Sequence, residues 1–335
     1  MSASAATLAR RLLPLAVALL AALPAAALPT AQVVLTAMGF SADEQQQVMN
    51  GDLVSSSATS STERELAIHM ALLINRPADQ LAQVFRDAGD YKQSANVIAF
   101  GALAAPATLG DFAALTLDDA TAQSFLNAQP GTAVNLSPQE IAAFAALRAQ
   151  APADVDTAVA AQLRQLLLAR HQTYRSGGLA AIAPYARGDG ALRSPGEELA
   201  DATKANVTLA QFAPHMHKVL EVYPQSRPEL SDEFFWVSFA NKGANPTIAL
   251  TQRLFAGTGG ASIFVDRHYY ASSQYNTVQA ISGVLPVQEG SVLIYINRTS
   301  TDQVGGFGSS VKRSVGDHMM AKEIGASLEK LRRSQ

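Results

Sequence analysis

Three rows of residues combine apolar bodies with polar heads at a spacing of two. Ile263, Val265, Arg267 and Tyr269 form the first; Tyr275, Thr277, Gln279, Ile281 and Leu285 the second; Val292, Ile294, Ile296 and Arg298 the third. In a strand, residues two apart share a face, so each row is a strip of one wall. A mostly apolar wall with a few oriented polar groups suits a small-molecule pocket. The chemistry expected is binding: Arg267 and Arg298 meet an anionic head group, Gln279 stands in the same wall, and Trp236, Tyr269 and Tyr275 pack on an apolar body. The plainer reading of the same rows is a half-buried sheet whose strand ends emerge into water.

Three other groupings carry weaker chemistry. In "DRHYY", Asp266, His268 and Tyr270 alternate to the face opposite Arg267 and Tyr269. An Asp beside a His can orient a general base, but no nucleophile sits at readable spacing, so no catalytic residue is assigned. His215 and His217 would converge on a strand. Their segment reads instead as a helix opened by Pro214, where they point about 200° apart, so no metal and no cofactor is expected. "GGFGSS", 305–310, precedes the last helix. It lacks a phosphate-loop pattern and reads as a turn with Ser309 or Ser310 as N-cap. Arg298, Asp302, Lys312 and Arg313 are expected to meet near the mouth of a cavity.

The elements that position these residues follow from periodicity. "SADEQQQVMNGD" reads as a short helix, with Ser41 as N-cap and Glu44 three residues on. "ERELAIHMALLIN" is the first strong strand, apolar on both faces and therefore covered on both. "RPADQLAQVFRDAGD" is a helix with Leu81, Val84 and Phe85 on one stripe. Residues 100–205 are rich in Ala and Leu and read as helical, with capping-box starts at Ser137 with Glu140 and at Ser194 with Glu197. Five β-rich runs follow at 233–240, 247–255, 262–270, 275–285 and 291–298. Their short linkers favour antiparallel pairing. A long helix then runs to the end, with Val311, Val315, Met319, Ile324, Leu328 and Leu331 as its apolar stripe.

Composition narrows the class. Arg10 and Arg11, an apolar run at 12–23 and Ala25-Ala26-Ala27 read as a secretory signal peptide over residues 1–27, so a periplasmic or secreted location is expected. The run is shorter than the ~20 residues a membrane span needs, and no integral span is expected after cleavage. The net charge of −3 lacks the concentrated basic surface that nucleic acid requires. The chain has no cysteine, so neither disulfides nor thiol chemistry contributes, and stability rests on packing.

One strand, one helix, a helical insert, five strands and a long terminal helix resemble, in order, the helix-grip fold of START-related lipid-transfer proteins and polyketide cyclases. The resemblance covers 62–90 and 208–333 and rests on element order. It implies a curved antiparallel sheet wrapped on the C-terminal helix, with a cavity between them. "YRSGGLAAIAPY", "DEFFWVSFANKG" and "NRTSTDQVGGFGSS" also resemble a group of uncharacterised exported bacterial proteins, which implies no activity.

The expectation is therefore an α+β protein. A lead-in at 28–61 is followed by a grip domain divided between 62–90 and 208–335, with an Ala-rich helical insertion at 91–207. It would bind a small apolar or amphipathic ligand. The alternatives are a cyclase- or hydrolase-like enzyme using His268 with Asp266 or a tyrosine, and an interaction module of the cell envelope docking through its helical insert.

Overall fold

A computed structural model describes residues 29–334 apart from 93, 95, 132–133, 189, 226–229, 259 and 307. The expected signal peptide lies outside the described residues. The chain is α+β. Helices α1 (Ala31–Ala37) and α2 (Ala42–Met49) lead into strands β1 (Val54–Ser57) and β2 (Glu65–Ile74). Helices α3 (Ala78–Arg86) and α4 (Gly89–Lys92) precede β3 (Val97–Ala102). The insertion continues with α5 (Asp119–Leu126), α6 (Pro138–Ala149) and α7 (Val155–Gly177). It goes on through the small hairpin β4 (Tyr185–Ala186) and β5 (Leu192–Arg193) and α8 (Pro195–Lys204), and α9 (Val207–Phe212) and α10 (Pro214–Val222) follow. Strands β6 (Ser231–Asn241), β7 (Ala244–Thr258), β8 (Ala261–Ala271), β9 (Thr277–Val287) and β10 (Gly290–Ser300) end in α11 (Ser309–Arg333).

One eight-stranded sheet carries the fold, in the order β1-β2-β10-β9-β8-β7-β6-β3, and its ladders are antiparallel. The five late runs form a meander, as short linkers demand. β2 closes onto β10 from Ser291 opposite Ile74 to Ser300 opposite Glu65. Two strands were not legible as strands. β1 is four residues long, and β3 lies inside the stretch read as helical and pairs with β6 at the far edge.

β2 is covered on both faces, as its pattern requires. Ile68, Met70, Leu72 and Ile74 pack on the first face with Leu81 and Phe85 of α3 and Leu328 and Leu331 of α11. Ala71 and Leu73 meet α1, α2, α9 and α10 on the second face. The insertion packs further along this second face, where Leu163, Leu167 and Tyr174 of α7 meet Trp236, Leu250 and Tyr269. It therefore covers the sheet instead of standing apart from it.

The N-terminal half of α11 departs from expectation. Val311, Val315 and Met319 are exposed, at 69%, 56% and 59%. The side that meets β2 is Gly316, Met320, Ile324, Leu328 and Leu331; a Cβ on Gly316 would lie 2.8 Å from Leu66. The sequence stripe breaks between Met319 and Ile324, because a five-residue step turns about 140° away. Gly308, with φ 75°, is the N-cap, and neither Ser309 nor Ser310 takes that role.

Two of the three expected capping boxes form. Ser41 with Glu44 and Ser137 with Glu140 are reciprocal, whereas at α8 the Ser194 side chain accepts from the Glu197 N–H without the return bond from Glu197. Glu140 has a second role: its carboxylate binds the buried Arg170 guanidinium at 2.7 and 2.6 Å, joining the start of α6 to α7.

Trp236 has no solvent exposure. Its indole lies over Gly101, the paired residue on β3, and Nε1 donates to the Asp111 carbonyl at 2.9 Å. Gly101→Ala would drive a methyl into a ring that cannot leave without breaking that bond. A loss of about 1–3 kcal/mol is expected, read as a lower urea midpoint with unchanged slope.

Candidate functional site

The described surface is indented on the first face, beside α3. A cleft of about 350 Å3 is lined by Arg86 of α3, Ser231 and Glu233 of β6, Arg253 and Phe255 of β7, and Phe264 of β8. The register explains the grouping. Ser231 is opposite Phe255, Glu233 is opposite Arg253, and Phe255 is opposite Phe264, so the five strand residues share one face of three adjacent strands. The Phe255 and Phe264 rings pack at 4.9 Å between centroids, and the Arg86 guanidinium sits 4.2 Å from the Phe255 centroid. A guanidinium over an aromatic ring keeps its N–H donors for other partners. Among the described residues, no carboxylate lies within ion-pair distance of Arg86.

The floor of the cleft is a locked charge cluster. Arg253, 1% exposed, binds Asp266 through Nε at 2.7 Å and Nη2 at 2.6 Å. It binds Asp90 at 3.0 and 2.6 Å and donates to the Phe85 carbonyl. Burial alone would loosen the guanidinium proton. Asp266 and Asp90 more than reverse this, and the arginine is held well above its usual range. Arg253 is therefore occupied and serves as scaffold, while Arg86 presents the cleft's available donor edge.

Next to this cluster, His268 is 7% exposed. Its Nε2 lies 3.2 Å from the Tyr91 hydroxyl and its Nδ1 2.8 Å from the Tyr275 hydroxyl. Burial pushes its pKa down to about 4, against the pull of Asp266, so the ring is neutral at pH 7. Both ring nitrogens are engaged by phenols, and His268 does not line the cleft. Asp266 and His268 share the first face, but Tyr270 does not join them. A bulge between Leu250 and Thr251 leaves Tyr269 out of the ladder and turns Tyr270 to the second face, where Arg170 lies 4.5 Å from its ring.

The six residues read from the sequence as a ligand wall divide differently. Arg267, Gln279 and Arg298 are direct neighbours across β8, β9 and β10. They lie on the second face, because Arg298 is opposite Ala67, away from the α11 side. Arg298 therefore does not point toward the C-terminal helix. It binds Glu65 at 2.8 Å and the Ala205 carbonyl at 3.0 Å. Asp302, Lys312 and Arg313 do not join it. Asp302 holds Arg187 and Arg193 at 2.7 and 2.6 Å, Lys312 reaches the Gly305 carbonyl and Arg313 the Glu63 carbonyl. Tyr269 is stacked on Tyr174 at 4.1 Å and meets His171 Nδ1 through its hydroxyl at 2.9 Å. Tyr275 is separated from the rest, with its hydroxyl on His268. Trp236 is core.

His215 and His217 lie on α10 as expected, and His217 Nε2 is 3.0 Å from the Thr203 carbonyl. Among the described residues, no group of three or more His, Asp or Glu could hold a metal ion. None of them forms a helix long and apolar enough to cross a membrane.

The cleft is not legible in the sequence because Arg86 of α3 stands more than a hundred residues before the three consecutive strands that supply the rest. One signal was present: "TQRLF" places Gln252 and Arg253 in mid-strand, where a strand covered on both faces must give each a buried partner. No family model matches the chain, and neither a curated protein nor a solved structure matches it.

Proposed function

We propose that the protein is an exported, non-catalytic binder of a small amphipathic molecule carrying one anionic group, taken up in the cleft beside α3. A single observation carries this reading. A cleft of about 350 Å3 has a paired-phenylalanine wall and one stacked guanidinium without a carboxylate partner. That volume falls in the range of roughly 300–1,000 Å3 typical of ligand pockets. The apolar body lies on Phe255 and Phe264, and the anion meets the N–H donors of Arg86. Arg253, held by two carboxylates, keeps the floor rigid. Export rests on the charged, apolar and small-residue pattern of residues 1–27. A relation to the helix-grip fold is supported by the pairing of β2 with β10 and by α11 lying along β2 on the face that also bears the cleft.

Native mass spectrometry of protein purified from its source cells tests this. A co-purified anionic mass is expected, and its affinity should fall roughly tenfold or more in Arg86→Gln, the scale of one charge-assisted hydrogen bond. Arg86 is exposed, so the urea midpoint of that variant should stay close to wild type. Absence of any bound mass, or equal affinity in Arg86→Gln, would remove the cleft as a ligand site.

A further inference from the structure

The second face holds a buried polar row that the cleft does not use. Gln252 on β7, Arg267 on β8, Gln279 on β9 and Arg298 on β10 stand directly opposite one another across four strands. The first three have no solvent exposure and Arg298 has 5%. The row separates the apolar core under the insertion from the one under α1, α9 and α10.

Among the described residues, four arginines are buried: Arg170, Arg253, Arg267 and Arg298. Arg170 has Glu140, Arg253 has Asp90 and Asp266, and Arg298 has Glu65. Arg267 has no carboxylate. Its Nε donates to Gln279 Oε1 at 2.9 Å and its Nη2 to Thr203 Oγ1 at 2.7 Å, both neutral. The neutral Tyr174 hydroxyl also acts on this guanidinium, but Nη1 makes no hydrogen bond of its own, and neither do Gln252 Nε2 and Gln279 Nε2, the amides on either side of it. The Gln252 oxygen is already taken by the Tyr174 hydroxyl at 2.5 Å. Three buried groups on adjacent residues therefore all donate and lack an acceptor, around a cation that lacks a counter-charge.

An unpaired buried charge costs several kcal/mol, and arginine does not relieve this by losing its proton. A water molecule supplies acceptor capacity but no charge. We propose that this row binds a small monovalent anion, of halide or formate size, between Arg267 Nη1 and the Gln252 and Gln279 amides. The anion completes the ion pair that the other three buried arginines make with protein carboxylates. It is an internal site that joins the insertion to the sheet, since Thr203 of α8 and Tyr174 of α7 reach the same row. It lies on the opposite face from the cleft and does not depend on what the cleft holds.

Two measurements test it. Crystals of the full chain soaked in bromide should show an anomalous peak within hydrogen-bond reach of Arg267 Nη1. Thermal unfolding at fixed ionic strength, with chloride, bromide or formate exchanged for sulfate, should show a saturable rise in midpoint. The rise should reach about 5 °C at a hundredfold excess over Kd. Arg267→Met, which removes the charge and keeps the stem, should lose that anion dependence. If this variant does not fold, the bromide map of the wild-type protein decides. A map with no peak at Nη1, or a midpoint that follows ionic strength whatever the anion, would overturn the proposal.

Discussion

Arg253→Met is expected to destabilise the protein by about 3–5 kcal/mol, the usual scale for removing one partner of a buried ion pair. The substitution leaves Asp90 and Asp266 facing each other beneath α3 with four charge-assisted hydrogen bonds lost. It also frees the Phe85 carbonyl at the end of that helix. The mechanism makes a second claim: the harm comes from the stranded carboxylates and not from the lost attraction. Arg253→Met combined with Asp90→Asn and Asp266→Asn should therefore recover much of the loss, because buried ion pairs replaced as a unit are often near neutral. Urea unfolding of the single and triple variants compares them directly. A single variant within about 1 kcal/mol of wild type would mean that both acids reach water, contrary to the burial of Asp266.

The second large effect concerns pH. Glu198 on α8 gives one oxygen to Asn276 Nδ2 at 2.9 Å, while the other has no hydrogen-bond partner. Burial pushes its pKa up to about 7, with Asp302 adding to the rise and Asn276, Arg187 and Arg193 opposing it. A raised carboxyl favours the folded state while it keeps its proton. That contribution is fully present below about 4.5, the unfolded value, and is lost as pH rises through about 7. It amounts to on the order of 3 kcal/mol. His268 works in the opposite direction. Its folded pKa of about 4 lies below the unfolded 6.5, so its contribution, of similar order, is present above 6.5 and lost as pH falls through 4.

Between pH 4.5 and 6.5 the two slopes offset each other. Glu198→Gln should remove the falling limb and leave stability climbing toward pH 6.5, a rise that His268 shares with His69, whose pKa burial also lowers. At pH 8 this variant should exceed wild type by roughly 3 kcal/mol, and at pH 4 it should match it. Denaturant midpoints across that range measure both. Parallel wild-type and Glu198→Gln profiles would show that Glu198 is ionised and solvated throughout.

Much of the fold was written in local pattern. The five late runs became one meander because period-two alternation and short linkers act within a few residues. The continuous apolar texture of residues 65–74 reflects coverage on both faces, which the structure supplies with α3 and α11 on one side and α1 and α2 on the other. Capping boxes at Ser41 and Ser137 were legible for the same local reason. What the pattern hid was non-local. β3 is half-exposed and finds its identity only through pairing with β6, more than a hundred residues later. The bulge at Tyr269 reversed the face of Tyr270, which no alternation rule anticipates.

The site was legible only in fragments. Arg267, Gln279 and Arg298 are neighbours on one strand face, but which face that is depends on where α11 packs. The Phe255 and Phe264 pair needed the β7–β8 register, and Arg86 needed α3 to lie beside it. Gln252 completes the buried row; its mid-strand position signals that a buried partner is needed, but which partner depends on its cross-strand neighbours.

The cleft as a ligand site is tested most directly by a crystal structure of the protein as purified from its source cells, at a resolution that defines bound small molecules. Density should fill the space over Phe255 and Phe264, with one end in hydrogen-bond contact with the Arg86 guanidinium. A cleft closed by its own side chains, or a co-purified ligand seated elsewhere with Arg86 paired to a protein carboxylate, would contradict it.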